Sequence, residues 1–96
     1  MTYKLKFLPS AKKEWDKLDN SIKVQFKNKL KKCLENPRIP ANKLREFDSA
    51  YKIKLRSAGY RLVYEVDDQE IIVFVIAVGK RENNAAYNKA KNRTQT

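Results

Sequence analysis

Alternating apolar and charged positions mark the beginning of the chain. Residues 1–8 place apolar side chains on one side and lysines on the other, which predicts a half-buried strand. Pro9 should end this strand, and Ser10 should cap a short helix over residues 11–18. Strand and helix therefore follow one another within the first 18 residues.

The strongest helical signal follows a break at residues 19–21. Apolar side chains recur there at helical spacing, at Ile22, Phe26, Leu30, Cys33 and Leu34. Lysines stand on the opposite face of the same segment. Asn36-Pro37 should close this helix, because the residue before a proline resists the α conformation. The two helices predict a helical hairpin.

The second half of the chain is predicted to be a meander of strands. A connection without periodicity, residues 38–50, precedes two alternating segments at 51–56 and 60–66. Residues 70–78 are almost continuously apolar, which predicts burial on both faces and a central place in the sheet. The tail, 82–92, is a weak helix. The order β-α-α-β-β-β-α predicts an α+β fold, with a small antiparallel sheet on which the helical hairpin packs.

The first hairpin of this meander carries a parity argument. Its apolar residues face one core only if the loop between the strands has an even number of residues. A two-residue loop sets Lys54 opposite Arg61, and a four-residue loop sets Arg56 opposite Arg61. Both registers place four cations on the face away from the core, namely Lys52, Lys54, Arg56 and Arg61.

Composition and charge narrow the class of protein. Ninety-six residues suit one domain, 1–96, and the net charge is +11. Such an excess points to a polyanionic partner, which is nucleic acid, an acidic protein or an anionic membrane surface. No segment has the length of a membrane span and no signal peptide is evident, so a cytoplasmic protein without a membrane partner is expected.

Several kinds of chemistry are excluded or disfavoured by the residues present. The chain has no histidine, so imidazole acid–base catalysis is excluded. Its single cysteine, Cys33, cannot form an internal disulfide or a cysteine-only metal cluster. No pair of carboxylates suggests a metal site, and no glycine-rich phosphate loop occurs. We expect neither a cofactor nor a metal.

The four cations of the hairpin are the main candidate site. Like charges facing each other across two strands are destabilising, so such a face is either splayed into water or serves an anion. Lys80 and Arg81 follow the central strand and could be aimed at the same face as Arg61. Tyr87 is expected to pack rather than react, unless the tail folds over the basic face.

A basic face without histidine suits RNA cleavage by the substrate's own 2′-hydroxyl. Arginine binds phosphate oxygens through its planar fork and so stabilises a phosphorane. A lysine becomes an acid or base only if its pKa falls well below about 10.4, and neighbouring cations push it in that direction.

Three segments of the chain stand out together: residues 42–45 (NKLR), residues 51–64 (YKIKLRSAGYRLVY) and residues 78–82 (VGKRE). With further similarity at 13–18 and 35–39, they make the sequence resemble the RelE toxin family. The resemblance covers nearly the whole chain. It implies the toxin of a type II toxin–antitoxin pair, an endoribonuclease that cuts mRNA in the ribosomal A site.

The resemblance also assigns roles to individual residues. The family's catalytic positions match here as Lys52, Lys54, Arg61, Arg81 and Tyr87. Arg61 would stabilise the phosphorane, the two lysines would support deprotonation, Arg81 would serve the leaving group, and Tyr87 would stack on or orient the substrate. Expected substrate contacts are Arg45, Arg56 and Lys80. The division of acid and base among Lys54, Arg81 and Tyr87 stays open.

Partners follow from the same resemblance. The expected partners are a cognate RelB-like antitoxin, the A site of the small ribosomal subunit with its mRNA, and operator DNA only through the antitoxin. Two alternatives stay open: a gyrase inhibitor of the ParE type, and a basic ribosome- or RNA-binding module that cuts nothing.

Overall fold

Four strands and three helices follow one another in the predicted order. The computed structural model describes residues 2–45, 47–80 and 85–94. Its elements are β1 (Lys4–Phe7), α1 (Pro9–Asp16), α2 (Asn20–Glu35), a short 3-10 helix (Pro40–Asn42), β2 (Ala50–Leu55), β3 (Tyr60–Asp67), β4 (Ile72–Lys80) and α3 (Ala85–Thr94). The α+β class and the element order are therefore confirmed.

The sheet has the strand order β1-β4-β3-β2. Strand β4 has a neighbour on each side, so its predicted central place is confirmed. Strands β2, β3 and β4 run antiparallel, but β1 pairs with β4 in parallel, from Lys4 opposite Ile72 to Phe7 opposite Val75. The sheet is thus mixed, because the chain leaves β1 through two helices and comes back to the far edge of the meander.

Both ends of α1 lie two residues before the predicted range 11–18. Pro9 begins α1 instead of merely ending β1, and Leu8 takes the capping position without a side-chain hydrogen bond. Proline fits the first turn of a helix, where its missing N–H has no partner to lose. The Ser10 cap was therefore wrong. The predicted end of α2 is confirmed, since Asn36 has a non-helical φ of −150°.

The β2–β3 hairpin has the even loop that the parity argument requires. Lys54 lies opposite Arg61, and the ladder ends with Leu55 opposite Tyr60. The loop is the four residues from Arg56 to Gly59. The even parity and the Lys54–Arg61 register are therefore confirmed, but the two-residue loop expected with that register was wrong, because pairing stops at Leu55 and Tyr60. The Gly59 N–H donates to the Leu55 carbonyl at 2.8 Å, and Gly59 adopts a φ of +72°, which glycine tolerates at no steric cost.

Both faces of the sheet are covered. Helices α1 and α2 bury the larger core against one face. Phe26 and Cys33 are buried there as expected, together with Trp15. Helix α3 buries a second, smaller core against the opposite face. That core consists of Ala50, Val63, Ile76, Ala77, Ala86 and Ala90.

The second core corrects one expectation, because the basic face is not simply a face away from the core. A register shift between β3 and β4 sets Val63 opposite Ala77 but Tyr64 opposite Val75, so Ile76 is an extra residue on β4. Ile76 and Ala77 both belong to the α3 side. Within the three described ranges, no helix combines the length and the apolar character that crossing a membrane requires.

Candidate active site

The β2–β3 hairpin presents its cations on the same face as α3. Lys52 is opposite Val63 and Lys54 is opposite Arg61, and Val63 belongs to the small core beneath α3. Successive residues of a strand point to opposite faces, so Lys52, Lys54 and Arg61 share the Val63 face. All three are half-buried. The structure thus brings together three of the predicted catalytic residues.

Arg56 borders this group from the hairpin loop. A cavity of about 280 Å³ is lined by Lys54, Leu55, Arg56, Tyr60 and Arg61. Three of its five lining residues are cations, and none is acidic. We call it the hairpin cavity. Its chemistry suits an anion of the size of a phosphate group.

Helix α3 adds an aromatic ring to the cations. The guanidinium carbon of Arg61 lies 4.7 Å from the centre of the Tyr87 ring, which is a cation–π contact. Arg61 is opposite Gly79 in the ladder, and the Ala86 nitrogen lies 3.5 Å from where a Cβ on Gly79 would stand. The first turn of α3 therefore lies directly over this part of β4, and the tail does fold over the basic face.

The Tyr87 hydroxyl is buried without a hydrogen bond to any described residue, which the sequence did not predict. Its oxygen is buried, and none of the described residues forms a hydrogen bond with it. Burial raises the pKa of Tyr87, and the nearby Arg61 charge only partly opposes that rise. The hydroxyl therefore stays protonated at neutral pH.

Electrostatic repulsion from neighbouring cations lowers the pKa of Lys54. The neighbouring Lys52 ammonium lowers the pKa of Lys54 most, and Arg61 and Arg56 add smaller contributions in the same direction. A lowered pKa gives a larger fraction of neutral amine, which is the form that accepts a proton. This face of the sheet thus supplies both a cluster of positive charges and a candidate general base, Lys54.

Glu14 of α1 holds α3 in place, and sequence reasoning did not find it. Strand β1 stops pairing at Phe7, so the last part of β4 has an open edge on that side. There the Glu14 carboxylate accepts hydrogen bonds from the Val78 N–H at 3.3 Å and from the Arg93 guanidinium at 2.9 Å. Arg93 also donates to the Ile76 carbonyl at 2.7 Å.

Lys89 completes this group, which we call the Glu14 clip. Its ammonium lies 2.6 Å from the second carboxylate oxygen of Glu14. Burial alone would raise the pKa of Glu14, but the hydrogen bonds from Arg93, Lys89 and Val78 outweigh it and lower the pKa. The clip ties α3 to α1 around the edge of β4. No sequence signal marks Glu14, because an acidic residue on the polar side of an amphipathic helix is ordinary.

Two predicted site residues, Arg45 and Lys80, are not part of this cluster, and the position of a third is not described. Arg45 is exposed in the connection before β2, whose Leu44 and Phe47 pack against the α3-side core. Lys80 is opposite Tyr60, which packs on the α1–α2 side, so its side chain starts from the face opposite to Arg61. Arg81 lies outside the described residues.

Comparison with known proteins defines the class first. A family model described as the ParE toxin of the type II toxin–antitoxin system parDE matches residues 5–85. This match covers most of the chain and identifies it as a toxin of a type II toxin–antitoxin system.

The relatives are more specific. The mRNA interferase toxin RelE of Escherichia coli strain K12 and the mRNA interferase RelE of Shigella flexneri are each 55% identical over 93 residues, which is 97% of this chain and 98% of theirs. The chain belongs to the RelE toxin family. The resemblance seen in the sequence is thereby confirmed.

Solved structures agree with this assignment. A mutant of the E. coli toxin RelE in the free state superposes with a TM-score of 0.90 and 53% identity, covering 98% of this chain and 99% of that one. RelE in the intact E. coli RelBE toxin–antitoxin complex gives a TM-score of 0.81 and 57% identity, covering 84% of this chain and 99% of that one.

Proposed function

We propose that this protein is the toxin of a type II toxin–antitoxin pair and an endoribonuclease that cleaves mRNA in the ribosomal A site. One observation carries the proposal: Lys54 and Arg61 are direct cross-strand neighbours, and the Tyr87 ring lies against the Arg61 guanidinium. The curated relatives at 55% identity carry the name mRNA interferase, which supports the same reaction class.

The reaction uses a nucleophile that belongs to the RNA. The 2′-hydroxyl oxygen attacks the adjacent phosphorus, and the bond from phosphorus to the 5′-oxygen of the next nucleotide breaks. The products are a 2′,3′-cyclic phosphate and a 5′-hydroxyl, whose proton comes from the general acid, for which Arg81 and Tyr87 are the two candidates. Neutral Lys54 takes the proton of the 2′-hydroxyl, and Lys52 favours this role by lowering the pKa of Lys54.

Arg61 stabilises the negative charge that builds up on the phosphorane. Its planar fork can donate two parallel hydrogen bonds to the phosphate oxygens. The Tyr87 ring holds the guanidinium plane from one side and stacks on or orients the substrate. Arg81 is assigned, through the family pattern, to the leaving 5′-oxygen.

The remaining predicted substrate contacts are assigned according to whether they line the hairpin cavity. Arg56 lines the hairpin cavity and so contacts the RNA next to the scissile linkage. Arg45 and Lys80, which do not line that cavity, are assigned to the surrounding RNA. Alignment of the 2′-hydroxyl with the leaving oxygen is left to the ribosome, since the site has no histidine and weak activity on free RNA is expected.

A RelB-like antitoxin is the proposed protein partner. A related RelE chain is present in the intact E. coli RelBE toxin–antitoxin complex. A net charge of +11 favours an acidic partner, which would bind quickly through electrostatic attraction. Operator DNA is reached only through that antitoxin. A cytoplasmic location follows from the use of ribosomes and mRNA.

The test is translation in vitro with a defined codon in the A site. We expect the mRNA to be cut by the wild-type protein and to stay intact with Arg61→Ala or Arg81→Ala, while both variants still bind the antitoxin. A 2′-deoxyribose on the 5′ side of the scissile phosphate should abolish the cut. Cutting that persists on the deoxy substrate would show that the nucleophile is another group.

Gyrase inhibition is the second candidate, because the matching family model is described as the ParE toxin. An inhibitor that only binds protein has no need of a cationic cluster around a possible scissile phosphate. Adding the protein to a gyrase supercoiling reaction tests this function directly. Damaged DNA beside an intact message would favour ParE-type activity over the nuclease.

A further inference from the structure

A second cavity lies along the outer edge of β2. Strand β2 is the last strand of the sheet, so α2 rather than another strand borders this edge. The cavity measures about 360 Å³, within the ~300–1,000 Å³ typical of ligand sites. We call it the edge groove. It is lined by Lys29, Lys32, Cys33, Ile39, Asn42, Ile53, Lys54 and Arg56.

The rim of the edge groove is cationic, and its floor is apolar. Four of the eight lining residues are lysine or arginine, and none is acidic. No carboxylate of the described residues forms an ion pair with Lys29, Lys32 or Arg56. The charge of the rim is therefore left for a ligand to neutralise.

Lys29 is held in place for such a ligand. Its ammonium donates a hydrogen bond of 2.8 Å to the Lys54 carbonyl on the open edge of β2. This bond uses one of the three N–H groups of the ammonium and fixes its position over the groove. A positioned cation loses less side-chain entropy on binding than a free surface lysine does.

The edge groove and the hairpin cavity of the candidate active site adjoin each other at β2 and share two lining residues. Lys54 and Arg56 line both cavities. A strand of RNA that places one phosphate beside Lys54 and Arg61 therefore brings a neighbouring nucleotide to Lys29 and Lys32. Ile39 and Ile53 offer an apolar surface for its sugar or base.

We propose that the edge groove binds a phosphodiester of the message adjacent to the scissile linkage, with Lys29 and Lys32 donating to its oxygens. This inference rests on the proposed function and assigns it a further substrate site. The shared wall favours the message over other polyanions, since both cavities are then filled by one continuous strand.

The test compares two double variants that remove the same charge from α2. The first variant, Lys29→Gln with Lys32→Gln, removes two of the four positive charges that line the edge groove. The second, Lys23→Gln with Lys27→Gln, removes two positive charges that do not line it. Single-turnover cleavage on programmed ribosomes is measured against toxin concentration. We expect the half-saturating concentration to rise at least tenfold for the first pair relative to the second, with the saturated rate changed less than threefold.

Salt and substrate chemistry separate the possible ligands. Losing one phosphate contact should reduce the slope of log affinity against log salt by about 0.7. A methylphosphonate next to the cut should weaken binding of the wild-type protein but not of the Lys29→Gln/Lys32→Gln variant. If that variant stays as sensitive to the methylphosphonate as the wild type, the phosphate is not that of the message.

Other outcomes overturn the inference outright. Equal half-saturating concentrations for the two pairs would show that only total charge matters. A variant that cleaves normally but loses antitoxin affinity would show that the groove holds an acidic peptide. Binding to ribosomes that carry an uncleavable 2′-deoxy message gives the same comparison without cleavage, so a failure of the proposed reaction is distinguished from a failure of this site.

Discussion

The Glu14 clip makes a prediction about how α3 is kept over the candidate site. In Glu14→Gln the side chain keeps its length and one acceptor oxygen but loses its charge. The contacts with Arg93 and Lys89 then lose their charge–charge attraction. The remaining side-chain oxygen can still accept the hydrogen bond from the Val78 N–H. We expect α3 to detach more often from the sheet and to take the Tyr87 ring with it.

The size of the effect follows from the burial of each partner. The side chains of Glu14 and Arg93 are only 18% and 22% exposed, so their charged hydrogen bond falls in the range of about 1.5–3 kcal/mol. Lys89 is 41% exposed, and its pair with Glu14 contributes at most about 1 kcal/mol. We therefore expect a loss of about 2 kcal/mol, which is roughly a thirtyfold shift in the docking equilibrium of α3.

Native-state hydrogen exchange measures this equilibrium directly. The amides of α3 should exchange about thirtyfold faster in Glu14→Gln, since exchange there reports local opening. Asp16→Asn on the same helix is the matched control. Its pair with Lys12 has a distance of 2.8 Å but side chains that are 54% and 58% exposed, so less than about 0.5 kcal/mol should be lost.

Acid gives a second check with a defined sign. The pKa of Glu14 is lower in the folded protein, so its stabilisation is complete above the ordinary carboxyl value of about 4.3. That stabilisation disappears as the pH falls through the lower native value. The difference between wild type and Glu14→Gln should shrink over that interval. Unchanged exchange in α3 at neutral pH, or an equal effect of Asp16→Asn, would refute the clip.

Three further predictions concern the site and one turn. Tyr87→Phe should keep cleavage within about threefold because the ring over Arg61 is preserved, whereas Tyr87→Ala should lose about tenfold; equal losses would assign the role to the hydroxyl. Lys52→Met should move the alkaline rise of the cleavage rate to higher pH, since the pKa of Lys54 recovers; an unmoved profile would exclude Lys54 as the base. Ile71 adopts a φ of 57°, which costs a β-branched residue about 1 kcal/mol. Ile71→Asn should therefore raise the free energy of unfolding, measured in urea, by about that much. A decrease would show that the apolar contacts of Ile71 stabilise the fold more than its backbone strain destabilises it.

The meander was predictable because its signals are local. Alternation along residues 51–66 and the parity of the loop fixed which side chains share a face, and the register of Lys54 with Arg61 confirms it. The nearly continuous apolar run over residues 70–78 likewise predicted a strand buried on both faces, and the structure places that strand at Ile72–Lys80. Such patterns follow directly from which side chains are buried, so they predict the folded structure correctly.

Other features depend on contacts that no local pattern reports. The direction of β1 is set by the path of the chain through α1 and α2, so its parallel pairing with β4 was not predicted. The second core uses small residues such as Ala50 and Ala86, which give a weak hydrophobic signal but let α3 come close. Glu14 acts through partners more than 60 positions away in the chain.

The position of β2 at the rim of the sheet has a consequence for colloidal behaviour. An outermost strand offers unpaired backbone groups to any second molecule, and charged side chains along such a strand discourage that association. We therefore expect Lys52 and Lys54, which the proposed reaction uses for RNA cleavage, also to oppose strand-to-strand association between copies of the protein. Variants in which Lys52 and Lys54 are replaced by neutral residues would leave the edge of β2 unprotected. Light scattering should then detect aggregation in preparations of these inactive variants.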